Sequence, residues 1–198
     1  MKKIKRIIDF IFSLLLIVLL SPIFLVIASL IKISSRGPIL YNWDVVGKNG
    51  ISFRGYKFRT MQINADDLKS KLINSNEMKG PVFKMKNDPR ITTFGKILRK
   101  YSLDELPQLL SVIKGDMSLV GPRPAGINEW KHYKDWHKRK LSVTPGMTCL
   151  WQVNGRNEIV DFDDWVKMDI EYIENWSLWL DIKILIKTFF VVLKGTGR

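Results

Sequence analysis

The chain has 198 residues, enough for one domain with a real core and too few for two substantial ones joined by a linker. Lysine and arginine (32) outnumber aspartate and glutamate (19) to give a net charge of +13, which suits an anionic partner: nucleic acid, anionic lipid headgroups or a phosphorylated substrate. Cys149 is the only cysteine, so an intrachain disulfide and a cysteine metal cluster are excluded, and a reducing, cytoplasmic setting fits.

From Phe10 through Ile31 no residue is charged, and a continuous helix there would cover roughly 33 Å, enough to span a bilayer. No small-residue cleavage pattern ends the run, so it is expected to stay rather than be removed as a secretory signal. Pro22 deletes the amide bond to Val18 in mid-run, and Ser21 beside it can bond a freed carbonyl. Lys2, Lys3, Lys5 and Arg6 precede the run and Lys32 and Arg36 follow it, and positive flanks prefer the cytoplasm. Both ends on one side favours a re-entrant helix-break-helix over residues 1–36, broken at Ser21-Pro22; the alternative is a single span kinked at the proline.

Residues 37–198 read as a cytoplasmic domain, mainly α with a small β-hairpin. Short apolar alternations with Gly47, Gly50 and Gly55 over residues 39–61 predict the hairpin. Residues 64–79, 92–100, 106–113 and 161–175 are helix-compatible. Residues 176–193 place Trp176, Trp179, Phe189 and Phe190 among aliphatics, with Lys183 and Lys187, and then Lys194, on one helical face. That pattern fits an amphipathic helix on the membrane surface and equally a core helix with snorkelling lysines.

The segment Arg99-Lys100-Tyr101-Ser102-Leu103-Asp104-Glu105-Leu106-Pro107-Gln108 sets adjacent carboxylates beside cations. Ser102 and Glu105 have the spacing of a capping box, yet Pro107 falls where its ring and missing amide disrupt the helix such a cap would start. Adjacent carboxylates can also divide labour, one attacking phosphorus while the other holds a divalent cation. In Gly121-Pro122-Arg123-Pro124 two prolines restrict the backbone around a guanidinium suited to phosphate, or simply to a surface turn. Tyr56-Lys57-Phe58-Arg59-Thr60-Met61 and Asn154-Gly155-Arg156-Asn157 carry further cations.

Together with Asp88-Pro89-Arg90-Ile91-Thr92, Lys114-Gly115-Asp116-Met117-Ser118-Leu119-Val120 and Trp151-Gln152-Val153, these motifs in this order resemble the bacterial sugar transferase family, the monotopic phosphoglycosyl transferases, essentially end to end. The resemblance implies a membrane element that enters and leaves one leaflet of the bacterial inner membrane, with the catalytic domain facing the cytoplasm. It implies transfer of a hexose 1-phosphate from a UDP-sugar to undecaprenyl phosphate, with release of UMP, as the first membrane step of a surface polysaccharide or glycoconjugate.

By the same resemblance Asp104 is the nucleophile that carries the sugar phosphate, and Glu105, with Asp104, holds Mg²⁺. Lys57, Arg59, Arg99, Arg123 and Arg156 contact phosphates or carrier, although Arg59 and Asp88 could equally pair with each other or brace the fold. Trp43-Asp44 departs from the family pattern, where a glutamine and an arginine are common. Inner-membrane lipids and a second copy of the chain are the expected partners, and nucleic acid is not. A non-catalytic membrane-bound scaffold of a glycan assembly pathway is the alternative reading.

Overall fold

In a computed structural model, which describes residues 2–197, the first element is one long helix, α1 (Lys2–Ser34). It is long and apolar enough to cross a membrane, and little of its apolar stretch is buried. The interruption expected at Ser21-Pro22 takes the form of a substituted hydrogen bond rather than a loss of helix. Pro22 has no N–H to give the Val18 carbonyl, and the Ser21 hydroxyl donates to that carbonyl instead, at 2.8 Å.

Both ends of α1 are fastened to the rest of the chain. Near the start, Lys5 pairs with Asp181 at 2.6 Å, Arg6 donates to the carbonyls of Val112 and, at 2.7 Å, Ile113, and Asp9 accepts from the Ser118 hydroxyl at 2.7 Å. Near the end, Ile27 and Ile31 are buried against Phe58 and Leu98. Between these anchors Ser21, Pro22 and Ile23 are exposed.

The expected hairpin is present: β1 (Leu40–Val46) and β2 (Ser52–Phe58) pair antiparallel, with Tyr41 opposite Lys57 and Trp43 opposite Gly55. A third strand that the sequence reading did not include, β4 (Ala125–Gly126), joins the end of β1. A separate two-stranded parallel sheet, also outside the sequence reading, pairs β3 (Ser118–Val120) with β5 (Gly146–Thr148) and carries the 121–124 loop.

Helices supply most of the remainder. The helix-compatible stretch 64–79 is only partly helical: α2 (Ala65–Lys69), then a 3₁₀ turn over Ser70–Ser75. α3 (Thr93–Lys100) is capped by Thr92, whose Oγ1 accepts from the Gly95 N–H. The stretch from Leu106 to Ile113 is divided between a 3₁₀ turn, Leu103–Gln108, and α4 (Leu109–Lys114), which Gly115 ends at φ 98°. Three short helices follow, α5 (Ile127–Trp130), α6 (Asp135–Lys138) and α7 (Leu150–Val153), then α8 (Phe162–Glu174) and α9 (Leu178–Lys194).

α9 is not a core helix. Asp181 and Ile184 are its buried residues, whereas Trp179, Ile182, Leu185, Ile186, Phe189, Phe190 and Leu193 are exposed. The largest apolar core lies elsewhere, where α8 packs Phe162, Trp165 and Val166 against Trp151, Leu141 and Tyr133.

Candidate active site

Asp104 and Glu105 sit in the 3₁₀ turn after α3, and the residue before that turn explains its shape. Ser102 is left-handed (φ 53°), and its hydroxyl makes no cap; it accepts from Arg156 Nη2 at 2.7 Å. The capping box is therefore not formed. Pro107 is accommodated because a tight turn, not the first turns of an α-helix, runs through it. Asp104 is buried, and Glu105 is partly so.

Four cationic side chains reach this pair from four separate segments. Lys57, at the end of β2, places Nζ 2.6 Å from Glu105 Oε1. Arg99, in the last turn of α3, donates from Nε to Thr60 Oγ1 at 3.0 Å; α3 can lie this close because Gly95 has no Cβ, which would fall 2.1 Å from the Thr60 carbonyl oxygen. Arg123 projects from a loop held against β5, where the Gly146 N–H donates to the Pro122 carbonyl at 2.9 Å. A Cβ on Gly146 would lie 2.0 Å from Gly121 N, so glycine is what permits that approach. Arg156 follows α7, beside the parallel stack of Trp151 and Trp165, centroids 3.9 Å apart.

A cavity of about 440 Å³ is lined by Lys57, Arg59, Arg99, Asp104, Glu105, Arg123 and Arg156 together. It opens near the C-terminal end of α1, where Pro38 and Leu40 form part of its wall. Electrostatics separate the two carboxyls. Burial raises the Asp104 pKa above the usual carboxylate range, with Lys57 opposing. Burial acts the same way on Glu105, but Lys57 and Arg123 outweigh it and the Glu105 pKa is lowered.

Arg59 lines the cavity but its guanidinium is spent on the fold: Nε donates to the Pro38 carbonyl at 2.6 Å, Nη1 to Arg36 at 2.5 Å and Nη2 to Ser35 at 2.9 Å. It does not pair with Asp88, which holds Arg90 at 2.6 Å. Glu129, beside Arg123, and Gln152 also line the cavity, and sequence reasoning did not single them out. Glu129 belongs to none of the motifs, Gln152 stands in Trp151-Gln152-Val153 without a role of its own there, and only the folding of the 121–152 stretch brings the two together here.

Among the described residues no group of three or more histidine, cysteine or acidic side chains gathers as a metal cage. Two adjacent carboxylates nonetheless fit Mg²⁺, which is commonly held by one or two carboxylates with substrate phosphates completing its shell. Glu105 and Asp104 are the residues present for it.

Two carboxylates enclosed by cations thus form the charged centre of a cavity close to the end of a helix long and apolar enough to cross a membrane. A family model described as bacterial sugar transferase matches residues 1–195, and the chain belongs to that family. It is 53% identical over 161 residues to "Galactosyl transferase CpsE" of Streptococcus agalactiae, covering 81% of this chain and 36% of that protein. It is 46% identical to "Undecaprenyl-phosphate galactose phosphotransferase" of Salmonella typhimurium, covering 98% of this chain and 41% of that one. To "Exopolysaccharide production protein ExoY" of Sinorhizobium fredii it is 42% identical, covering 98% and 87%. The chain thus spans well under half the length of the first two relatives and most of the third.

Proposed function

We infer that this chain transfers a hexose 1-phosphate from a UDP-sugar to undecaprenyl phosphate, releasing UMP and forming undecaprenyl-diphosphate-sugar, at the cytoplasmic face of the bacterial inner membrane. The observation that carries this reading is the enclosure of Asp104 and Glu105 by Lys57, Arg99, Arg123 and Arg156 in one cavity at the end of α1. Support for the substrate class comes from the Salmonella relative and from a Klebsiella pneumoniae relative, a UDP-glucose:undecaprenyl-phosphate glucose-1-phosphate transferase.

In the first step an Asp104 oxygen bonds to the β-phosphorus of the donor and the bond from that phosphorus to UMP breaks, leaving an aspartyl-phosphosugar. In the second step an oxygen of undecaprenyl phosphate attacks the same phosphorus, and the Asp104 carboxylate is released. Arg123, Arg99 and Arg156 stabilise the negative charge that gathers on the phosphoryl oxygens. Lys57 holds Glu105 ionised and faces the same charge. Mg²⁺, held by Glu105 and Asp104, would neutralise diphosphate charge so that an anionic nucleophile can approach. The product would start assembly of a surface polysaccharide or glycoconjugate.

Two features support a re-entrant path. A straight helix as long as α1 would run roughly 50 Å, well beyond the ~30 Å hydrocarbon core. Both of its ends are fastened to one domain, by Lys5 and Arg6 at the start and by Ile27 and Ile31 near the end. The exposed apolar face of α9 would lie on the same leaflet.

The test uses donor labelled in its β-phosphate, with Mg²⁺ and purified protein, first without acceptor and then with undecaprenyl phosphate. The expected result is labelled protein that loses its label to lipid when acceptor is added, and an Asp104→Asn variant that neither labels nor releases UMP, a loss of roughly 10⁴-fold or more. Lipid-dependent UMP release without labelled protein would replace the covalent route with direct displacement.

A further inference from the structure

The catalytic cavity continues past the carboxylates along the hairpin, over residues to which the reaction above gives no role. Tyr41 and Trp43 alternate onto one face of β1, opposite Lys57 and Gly55 of β2. A Cβ on Gly55 would stand 2.9 Å from the Trp43 indole, so bare backbone at that position lets the ring lie down on the sheet. The Tyr41 ring stacks beside it, parallel within 8° and with centroids 6.1 Å apart, and the two rings make an aromatic floor to this part of the cavity. Lys57 joins this floor to the reacting groups: its Nζ is 5.2 Å from the Trp43 ring centroid and 2.6 Å from Glu105.

Beside this floor stands Asp66, in the first turn of α2, near enough that its negative charge adds to burial in raising the Tyr41 pKa. That turn is braced from below. Arg90 donates to the Ala65 carbonyl at 3.2 Å, pairs with buried Asp88 and lies 5.1 Å over the Phe83 ring. Tyr41, Trp43 and Asp66 line the same cavity as Asp104 and Glu105, with the Asp66 side chain exposed.

A ligand for this arrangement needs a flat apolar face and hydroxyl donors at its edge. A carboxylate repels phosphate and has nothing to offer a polyprenyl chain. Uracil alone presents one N–H between two carbonyl oxygens, which a carboxylate also repels; the whole uridine adds ribose hydroxyls, and the UMP arm of the experiment below separates that occupant from the hexose. A hexose satisfies both demands, with a C–H face that stacks on aromatic rings and adjacent hydroxyls that a carboxylate accepts from in pairs. We propose that the Tyr41–Trp43 floor and the Asp66 carboxylate bind the hexose ring of the donor and decide which epimer is accepted.

This rests on the donor being a UDP-hexose, and the experiment keeps the two claims apart. kcat/KM is measured for UDP-galactose and UDP-glucose, with inhibition by UMP, in the wild type and in Asp66→Asn, Tyr41→Phe and Trp43→Ala. Direct binding of both donors is measured alongside, so the question is decided even for a chain without turnover. Asp66 is exposed on a short helix, and its replacement leaves the core untouched.

Loss of one charged hydrogen bond that a single epimer makes is expected to cut the preference between the two donors about tenfold or more in Asp66→Asn. Trp43→Ala weakens both hexoses, Tyr41→Phe shifts the preference less than Asp66→Asn, and UMP inhibition is unchanged in all three. Equal losses for both donors together with weaker UMP inhibition would assign the floor to the nucleoside and overturn the proposal. Unchanged preference in Asp66→Asn would overturn it as well. A wild type that binds donors with the expected preference but releases no UMP would refute the transfer reaction and leave this subsite standing.

Discussion

Arg59 and Arg123 come from equally basic motifs and line the same cavity, yet the structure uses them in opposite ways. Arg59 directs Nε, Nη1 and Nη2 onto three backbone carbonyls just beyond α1 and so ties the end of that helix to the end of β2. Arg123 is held by its loop with Nε buried and without a hydrogen-bond partner, and its charged neighbours are Glu129 and Glu105. A buried donor left unpaired costs about 1–3 kcal/mol. In the proposed reaction that donor is available to ligand oxygens. Burial alone does not separate a binding arginine from a bracing one; whether its donors are already spent does.

Substitution by lysine should break that pair apart in both directions. Lysine keeps the charge and loses the planar fork. Arg123→Lys is expected to lower kcat/KM for UMP release by about 10²–10³-fold, the usual loss for one preorganised charge-stabilising donor, with the melting temperature unchanged. Arg59→Lys is expected to do the reverse: to lose about 2–4 kcal/mol of stability through unpaired carbonyls while the folded fraction keeps its KM. A raised KM with an unmoved melting temperature in Arg59→Lys would return Arg59 to the substrate.

What could be read from sequence follows the same division. Lys57, Arg99, Asp104, Glu105, Arg123 and Arg156 were picked out because their stretches, each weak alone, together resemble the family's motifs, and the fold gathers all six around one cavity. The role of Arg59 was not, because its partners Ser35, Arg36 and Pro38 are bare carbonyls that carry no side-chain signal. The fully buried pair Lys140 and Asp169, 2.7 Å apart, was invisible for another reason. Its members stand on different elements with no local pattern linking them, and each alone looks like an ordinary surface charge. The parallel pairing of β3 with β5 is likewise a tertiary fact, joining three-residue strands too short for any periodicity.

Asp88 and Arg90 sharpen the comparison, since here a neighbouring carboxylate rather than the backbone takes up most of the guanidinium. Burial alone would raise the Asp88 carboxyl; hydrogen bonds from the Arg90 side chain and backbone outweigh it and the pKa is lowered. A carboxyl whose pKa falls on folding contributes stability that is complete above its unfolded value and lost as pH falls through the folded one. Asp88→Asn is expected to cost about 2–3 kcal/mol at neutral pH, with the gap to wild type closing below about pH 4. A gap that persists unchanged under acid would show that packing, not the ion pair, makes Asp88 stabilising.

The smallest effect tests the same logic inside α1, where two serines make the same bond for different reasons. Ser21 donates to the Val18 carbonyl at 2.8 Å and Ser29 to the Leu25 carbonyl at 2.9 Å. Residue 29 also brings a backbone N–H to Leu25, as any helical residue does to the carbonyl four positions back, so its hydroxyl is a second donor to an oxygen already served. Residue 22 is proline and brings none, so the Ser21 hydroxyl is the replacement donor for Val18. In a bilayer no water can stand in, and a side-chain hydrogen bond there is worth roughly 0.6 kcal/mol on average. In lipid nanodiscs Ser21→Ala is therefore expected to destabilise the protein by about 0.5–1 kcal/mol and Ser29→Ala to be neutral within error. Equal costs at the two positions would mean that the Val18 carbonyl finds water, and would place the Ser21-Pro22 segment outside the hydrocarbon.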